Sequence, residues 1–207
     1  MEPVLSLISD SFCETRHVRS SDLCPMISPM NPSHDAVHDL SGPLEMLRAT
    51  HAGIRRQCEA LNNLIARLRK QGCDREAREA SAQVIRNLDT ASYQHKEDEE
   101  QDLLPRMMAA ATRGRGASLT NMVADITTEH RLMQRAWTDL RADLQALAAG
   151  DRAMLDPLAV DRFVKLYRTH LLMEEAAVYP LAEMLLSRED LAAMCTQMVQ
   201  RRKFGSE

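Results

Sequence analysis

The chain has 207 residues, a length that favours one well-buried domain with an extension over two domains. Its net charge is −4 and its basic residues are spread among acidic ones, so neither nucleic acid nor an anionic membrane is expected as a partner. A run of about 18 apolar residues is lacking and the first residues do not resemble a signal peptide, which together predict a cytoplasmic protein.

The first 40 residues are predicted to form a flexible N-terminal extension. They contain four prolines and scattered serines, without a sustained hydrophobic period. The cysteine and histidine side chains of the extension fit no known metal-ligand spacing, so a disordered tail is favoured over a second metal site. These side chains are Cys13, His17, Cys24, His34 and His38. The chain has five cysteines in all, without a C-x-x-C spacing, which favours reduced thiols over disulfides.

From Ser41 onward, helix stop and start signals divide the chain into four long helices. Glycine at a helix end followed by aspartate at the next helix start marks two breaks, at Gly72–Asp74 and at Gly150–Asp156. A glycine-rich stretch at residues 113–116 marks the third break. The predicted helices cover about residues 43–71, 74–111, 117–149 and 156–187.

Each predicted helix carries an apolar seam at alternating steps of three and four residues, which is the pattern that a helical bundle buries. Because the links are short, neighbouring helices are expected to be antiparallel. The sequence therefore predicts an all-α, up-down-up-down four-helix bundle over residues 41–187, followed by a short C-terminal helix and tail over residues 188–207. The fourth seam is predicted to contain Val160, Phe163, Tyr167, His170, Glu174, Ala177, Leu181 and Met184.

Every seam contains one histidine at a core position, and two seams contain a glutamate one turn later. Burying one unpaired imidazole or carboxylate costs on the order of several kcal/mol, so six such groups in one interior need a shared partner. We refer below to four core histidines and two core glutamates. They are His51, His95, His130 and His170, with Glu99 and Glu174.

The core histidines are predicted to lie at one level of the bundle. His51 lies 21 residues before Gly72 and His95 lies 23 residues after it, a height difference of about 3 Å at roughly 1.5 Å per residue. Counted from Gly150, the third and fourth histidines are each 20 residues away. Four imidazoles at one height favour a metal site, although a single core histidine is more often only hydrogen-bonded.

Each core glutamate follows a histidine at i+4, which places its carboxylate on the same helix face, one turn from the imidazole. Two such pairs and two further imidazoles can enclose two metal ions, with both carboxylates as bridges. Nitrogen and carboxylate oxygen without thiolate favour iron or manganese over a structural zinc.

Two segments, His95–Pro105 and His170–Pro180, share the pattern H-x-x-x-E-E-x-x-x-x-P. This pattern resembles the cation-binding motif of the hemerythrin-like (HHE) family. The segment that ends at His51 and the pair Glu129–His130 are similar to that family's ligand segments on its first and third helices. The resemblance covers about residues 43–187 and implies two non-haem iron ions, bridged by carboxylates and by an oxo group.

The resemblance implies a place for each ligand. It makes both core glutamates the bridges between the two irons. It assigns His51 and His95 to one iron, and His130 and His170 to the other.

The resemblance also bears on residues next to these ligands. Glu100 and Glu175 are expected beside the ligands or at the surface, and either could replace a bridge if the geometry shifted. Pro105 and Pro180 are expected to kink the second and fourth helices. Tyr167 is expected to be a core residue rather than a hydrogen-bond donor to the site.

One position departs from the oxygen-carrying members of the family. Those proteins have a second histidine one turn after the third-helix ligand, and Gln134 stands there in this chain. With fewer imidazoles, at least one iron is expected to have an exchangeable position, filled by water, by Gln134 or by a small ligand. Reversible oxygen storage is therefore not the expected function.

The core histidines are separated by 44, 35 and 40 residues, spacings similar to those of bacterial hemerythrin-like stress proteins. The resemblance implies a protein that binds or reduces O2, NO or peroxide in oxidative or nitrosative stress. Three alternatives stay open: a non-enzymatic iron or oxygen sensor, an iron-centre repair protein, and a helical scaffold without metal. The extension lacks the adjacent cysteine pair of the repair proteins, and the sequence does not decide whether the protein is an enzyme.

Overall fold

The computed structural model describes residues 42–111 and 116–204. Within these ranges every regular element is a helix, and none of these helices is long and apolar enough to cross a bilayer. The predicted N-terminal extension, with its cysteines and histidines, lies outside the described residues, as does most of the predicted break at residues 113–116.

Four long helical stretches form the predicted bundle, and a further helix follows them. The second and fourth stretches are each divided by a five-residue π-helical segment, called π1 and π2 below. The elements in chain order are α1 (Pro43–Gln71), α2 (Arg75–Asp98), π1 (Glu99–Leu103), α3 (Leu104–Ala110), α4 (Gly116–Ala149), α5 (Pro157–Met173), π2 (Glu174–Val178), α6 (Tyr179–Leu185) and α7 (Arg188–Phe204). Each stretch packs against the next, and α1 also packs against α5, so the four stretches close into a bundle.

The helix ends form at the predicted glycines and aspartates. Gly72 ends α1 with a φ of 74°, and Gly150 follows α4 with a φ of 88°, a backbone region in which other residues are strained. The Asp74 carboxylate accepts a hydrogen bond from the Ala77 N–H at 2.8 Å, and Asp156 caps α5 in the same way. The local signals in the sequence therefore place these breaks correctly.

Two clusters of buried apolar side chains fill the bundle, one on each side of the core histidines. The first core cluster includes Ile54 and Phe163, and the second includes Leu47 and Tyr179. On α1, His51 lies between Leu47 of the second cluster and Ile54 of the first. The polar layer is therefore covered by apolar packing on both sides.

Helix α7 packs on the outside of the bundle, against α1 and α2. Met194 and Met198 are fully buried in the second core cluster. The helix lies in the range of residues 188–207, for which the sequence analysis predicts a C-terminal helix and tail.

The π segments insert one residue into the second and fourth stretches. The Leu104 N–H bonds to the Glu99 carbonyl, and the Tyr179 N–H bonds to the Glu174 carbonyl, each across five residues instead of four. Each insertion turns the residues that follow it relative to the helix before it. The buried face after each core glutamate is therefore shifted by one position.

Beyond Glu174 the predicted fourth seam is consequently wrong at Ala177 and Met184, whereas Leu181 packs partly buried against the second core cluster. Ala177 and Met184 are exposed, Met184 with 69% of its surface, whereas Val178 and Ala182 are buried. A seam drawn at the α-helical period cannot anticipate an inserted residue. The expected interruptions near Pro105 and Pro180 are π segments that end just before these prolines.

Candidate metal centre

The structure brings the four core histidines together in one layer. Each is at most 2% exposed, and neighbouring ring centroids lie 4.8–5.5 Å apart. The Nε2 atom of His170 lies 3.1 Å from that of His130 and 3.3 Å from that of His95. Three of the four rings therefore turn the same nitrogen toward a common centre.

Glu174 lies among all four core histidines and is fully buried. Its Oε1 atom lies 2.8 Å from His170 Nε2 and 3.8 Å from His130 Nε2. Its Oε2 atom lies 3.3 Å from His51 Nε2 and 3.7 Å from His95 Nε2. The two oxygens of one carboxylate thus face two different pairs of histidines.

Glu99 also faces both sides, but on the side of His95 it faces Nδ1, whereas Glu174 faces Nε2 of that ring. The Oε2 atom of Glu99 lies 3.4 Å from His130 Nε2, whereas its Oε1 atom lies 3.7 Å from His95 Nδ1. Both core glutamates therefore turn one oxygen to the side of His51 and His95 and the other oxygen to the side of His130 and His170. These sides correspond to the two histidine pairs that the resemblance implies for the two irons.

Most of the donor atoms lie close enough to share one small site. Five of the six core residues, all except His51, offer ligand atoms within 4.8 Å of one another. His51 joins this group through its contact with Glu174. In the part of the chain that the structure describes, the group contains no cysteine, so its donors are imidazole nitrogen and carboxylate oxygen.

A carboxylate lies against the outward Nδ1 atom of three core histidines. Because an ionised carboxylate can only accept, we assign the ring proton to Nδ1, which leaves the Nε2 lone pair free to point into the centre. The pairs are His51 with Glu175 at 2.9 Å, His130 with Glu100 at 2.8 Å and His170 with Glu129 at 2.7 Å.

Glu100 and Glu175 thus lie beside the ligands, in one of the two positions expected for them. Glu175 is held further by the Arg55 guanidinium, which donates to both of its oxygens at 2.8 and 2.7 Å and lowers the pKa of that carboxyl. The role of Glu129 was missed by the sequence analysis. Its position directly before His130 places it toward the next helix, and only the packing shows that His170 is its partner.

Tyr179 lies inside the centre and was also missed. Its hydroxyl donates to Glu99 Oε1 at 2.8 Å and lies 2.7 Å from His51 Nε2. The ring is fully buried and stacks against the imidazole of His51, with centroids 5.2 Å apart. The repeated motif is the one sequence signal that could have found it, since Tyr179 stands where Leu104 stands in the other copy.

Tyr167 behaves as the sequence analysis expects. It is buried in the first core cluster, where its ring contacts Phe163. Its hydroxyl donates to Ser92 at 3.1 Å rather than to a core histidine.

A cavity of about 150 Å³ lies beside the centre. His95 and His130 contribute to its lining, together with Gln134. Gln134 is exposed and therefore lies at the solvent side of the cavity. Since a water molecule occupies roughly 30 Å³ of liquid, this space is large enough for a small ligand.

The carboxyl and imidazole groups of the centre have pKa values that are shifted in different directions. Burial and the neighbouring charge of Glu174 raise the pKa of Glu99 to about 8. Burial would also raise the pKa of Glu174, but the surrounding histidines, His95 first among them, hold it well below its usual range. Burial would lower the pKa of His130, but Glu174 and Glu99 outweigh this effect and raise it to about 10. The carboxylates therefore attract positive charge into the centre.

Three oxygens of the core glutamates fit a metal ion better than a hydrogen bond. Glu99 Oε2 and both oxygens of Glu174 are buried, and none has a hydrogen-bond partner among the described residues. A buried carboxylate oxygen without a donor is costly, whereas a cation between it and the histidine nitrogens would satisfy both. The donor set of nitrogen and oxygen suits iron or manganese.

Comparison with known proteins covers most of the bundle. The sequence model of the family described as Hemerythrin HHE cation binding domain matches residues 42–182. This range contains all six core residues and ends before α7. A protein of Haemophilus influenzae (strain ATCC 51907 / DSM 11121 / KW20 / Rd), named as an uncharacterized protein, is 28% identical over 164 residues, which cover 78% of this chain and 90% of that protein.

Proposed function

The chain belongs to the hemerythrin HHE cation-binding domain family and carries a metal-binding centre, and from this premise we propose that it holds two iron ions that bind or reduce a small ligand. The ligand would be O2, NO or peroxide, in oxidative or nitrosative stress. The observation that carries the proposal is the division of both core glutamates, each of which turns one oxygen to each histidine pair.

When bound, the irons supply the exchange of electrons with the ligand or its reversible binding. The protein supplies the orientation of the donors. The carboxylates of Glu100, Glu129 and Glu175 hold three imidazoles by Nδ1, so their Nε2 atoms stay aimed at the centre. The two core clusters exclude water from both sides of the layer, which strengthens the electrostatic interactions within it.

The cavity supports binding on the side of His130. This ring lines the cavity, and Gln134 stands where a further imidazole would be one turn along α4. Because Gln134 is exposed, its side chain would leave an iron held by His130 and His170 accessible. His95 lines the cavity as well, so a small ligand that enters through it would meet one histidine of each pair.

The test is iron loading followed by rapid mixing. The full chain is loaded with ferrous iron without air, the iron per chain is counted by elemental analysis, and stopped-flow spectra are recorded with O2, NO and hydrogen peroxide. We expect two irons per chain and a spectral change with at least one ligand. Two bound irons that respond to none of the three ligands would refute the ligand-binding role, and one iron or none would refute the iron pair.

The variant Gln134→His sharpens this test. An added imidazole at this position would occupy the exchangeable site on the iron of His130, so we expect two irons per chain but a response to NO at least about tenfold weaker, about 1.4 kcal/mol. The matched control is Gln101→His, at an exposed position on π1. An undiminished response in Gln134→His would place the exchangeable site elsewhere.

A second candidate is a non-enzymatic iron sensor, and the position of α7 favours it. Asp98, the residue before Glu99, pairs with Arg202 of α7 at 2.6 Å. Iron occupancy would thereby influence how firmly α7 is held. Amide hydrogen exchange of α7 that is equal with and without iron would remove this candidate, whereas at least tenfold slower exchange with iron would support it.

A further inference from the structure

Tyr179 is a buried residue with a polar hydroxyl that lies beside the six core residues. Its hydroxyl lies 2.7 Å from His51 Nε2 and 2.8 Å from Glu99 Oε1. Both of these atoms face the side of the centre that contains His51 and His95. The phenol is therefore already placed among the donor atoms of one proposed iron.

These distances are those expected between ligands of one metal ion. Nitrogen and oxygen ligands lie roughly 2.0–2.2 Å from a first-row metal ion, so two ligands at a right angle are roughly 3 Å apart. The hydroxyl of Tyr179 has this spacing from both neighbours, a spacing that hydrogen bonds share.

Metal binding would also change the partners of the hydroxyl. Once His51 Nε2 gives its single lone pair to an iron, it can no longer accept from Tyr179, whereas Glu99 Oε1 keeps a second lone pair. Binding of the phenol oxygen to the same ion would replace the contact with His51.

We propose that Tyr179 binds, as a phenolate, the iron held by His51 and His95. This inference rests on the proposed iron pair. The phenol releases its proton to solvent when it binds ferric iron, and no electron is transferred in this step. Burial and the charges of Glu99 and Glu174 raise the pKa of Tyr179, so the positive charge that stabilises a phenolate there would have to come from the metal ion.

The added ligand makes the two irons unequal. The iron of His51 and His95 gains a protein oxygen, whereas the iron of His130 and His170 gains none from this side. Small ligands would therefore be confined to the second iron, whose ligand His130 lines the cavity together with His95.

The experiment uses the optical and resonance Raman spectra of the oxidised, iron-loaded full chain. A phenolate bound to ferric iron gives a visible charge-transfer band and enhanced ring vibrations, and these vibrations shift when the tyrosines are ring-deuterated. We expect both signals in the unaltered chain and their loss, per bound iron, in Tyr179→Phe loaded at saturating iron, with weaker binding of the iron of His51 and His95 and with the far-UV circular dichroism retained. Tyr167→Phe is the matched control, because Tyr167 is equally buried and contacts Ser92 instead.

The outcomes separate this inference from the proposed function. Two bound irons without phenolate vibrations in the unaltered chain would overturn the role of Tyr179 and leave the iron pair standing. The same holds if the signals persist in Tyr179→Phe. If Tyr179→Phe does not fold, the isotope shift in the unaltered chain still decides, and a chain that binds no iron at all refutes both proposals.

Discussion

The centre is built from two copies of one motif, and the copies differ in what surrounds them. The first copy is His95–Pro105 and the second copy is His170–Pro180. Each supplies a histidine, a core glutamate one turn later, a π segment and a proline in the next helical turn. The donor atoms are thus supplied in a nearly symmetric way, and any difference between the two proposed irons would come from the neighbours.

The first copy of the motif forms ion pairs with α7. Asp98 and Asp102 are buried, and arginines of α7 and α3 surround them. Arg202 donates to Asp98 at 2.6 Å, Arg106 donates to Asp102 at 2.7 Å, and Arg201 also pairs with Asp102. These carboxylates are balanced by the protein's own cations: even Asp98 Oδ1, which has no hydrogen-bond partner among the described residues, lies 3.4 Å from Arg201 Nε.

In the second copy, other residues replace the aspartates that form these ion pairs. Met173 and Ala177 occupy the positions of the two aspartates, and Tyr179 occupies the position of Leu104. Comparison of the copies shows what separates a structural carboxylate from a metal-binding one. Arginines surround the aspartates, whereas histidines surround the core glutamates and leave three of their oxygens for a cation.

The largest effect is expected from removing a bridge. Glu174→Ala should weaken iron binding by roughly 100-fold or more, since even partners that only orient a ligand contribute roughly 10–100-fold. Glu99→Ala should have a smaller effect, because Glu174 faces all four core histidines and Glu99 faces fewer. Iron titration with elemental analysis measures both. Glu79→Ala, at an exposed position on α2, is the control, and equal losses in Glu99→Ala and Glu174→Ala would contradict the ranking.

The next largest effect is expected from removing an ion pair between the first copy and α7. Asp98→Ala leaves Arg202 without its buried carboxylate, and breaking such a pair costs roughly 3 kcal/mol. We expect a loss of this size in the free energy of unfolding, measured with urea, and faster hydrogen exchange in α7. Iron affinity should change less than it does in Glu99→Ala. Glu189→Ala, an exposed position on α7, is the control, and unchanged stability in Asp98→Ala would show that α7 is held by apolar packing alone.

The sequence predicts correctly those helices in which one hydrophobic period continues without interruption. The seam of α1 continues from Leu44 to Leu68 at a single period, and all of its predicted positions are buried. The level of the core histidines follows from counting residues between glycines, because α-helices have a constant rise. This is why His51, the farthest of the four in sequence, could be placed in the layer.

The other features of the structure depend on contacts that a single sequence does not reveal. A π segment changes the period for a single turn, so the buried position of Tyr179 could not be read from the pattern of α5. The pairing of Glu129 with His170 depends on how α4 and α5 face each other. The pairing of Asp98 with Arg202 joins residues 104 positions apart, and a single sequence does not reveal such a contact.

A moderate effect is expected at the carboxylates that orient the imidazoles. Glu100→Ala and Glu175→Ala should each weaken iron binding by roughly 10–100-fold, because the facing Nδ1 atom loses its acceptor. The losses should fall on different irons, since Glu100 holds His130 and Glu175 holds His51. Stepwise iron titration should show one weakened site in each variant. Glu59→Ala, exposed on α1, is the control, and a uniform loss at both sites would contradict the division into two irons.

The smallest effect is expected at the prolines that end both copies. Pro105 and Pro180 are exposed and lie in the first turn of α3 and α6, where a missing N–H breaks no helical bond. Replacing either by alanine should cost roughly 0.4–1 kcal/mol, through greater freedom of the unfolded chain. Urea unfolding measures this change, and iron content should stay the same.

The Pro180→Ala variant also tests what maintains π2. The bond from the Tyr179 N–H to the Glu174 carbonyl does not involve the proline, so the metal ligands and the second core cluster should preserve the inserted residue. If the proline alone enforced π2, alanine would restore the α-helical period and turn Tyr179 away from the centre by roughly 100°. The phenolate signal would then vanish from Pro180→Ala while the iron remained. A retained signal would show that packing around the centre, and not the proline, places the tyrosine.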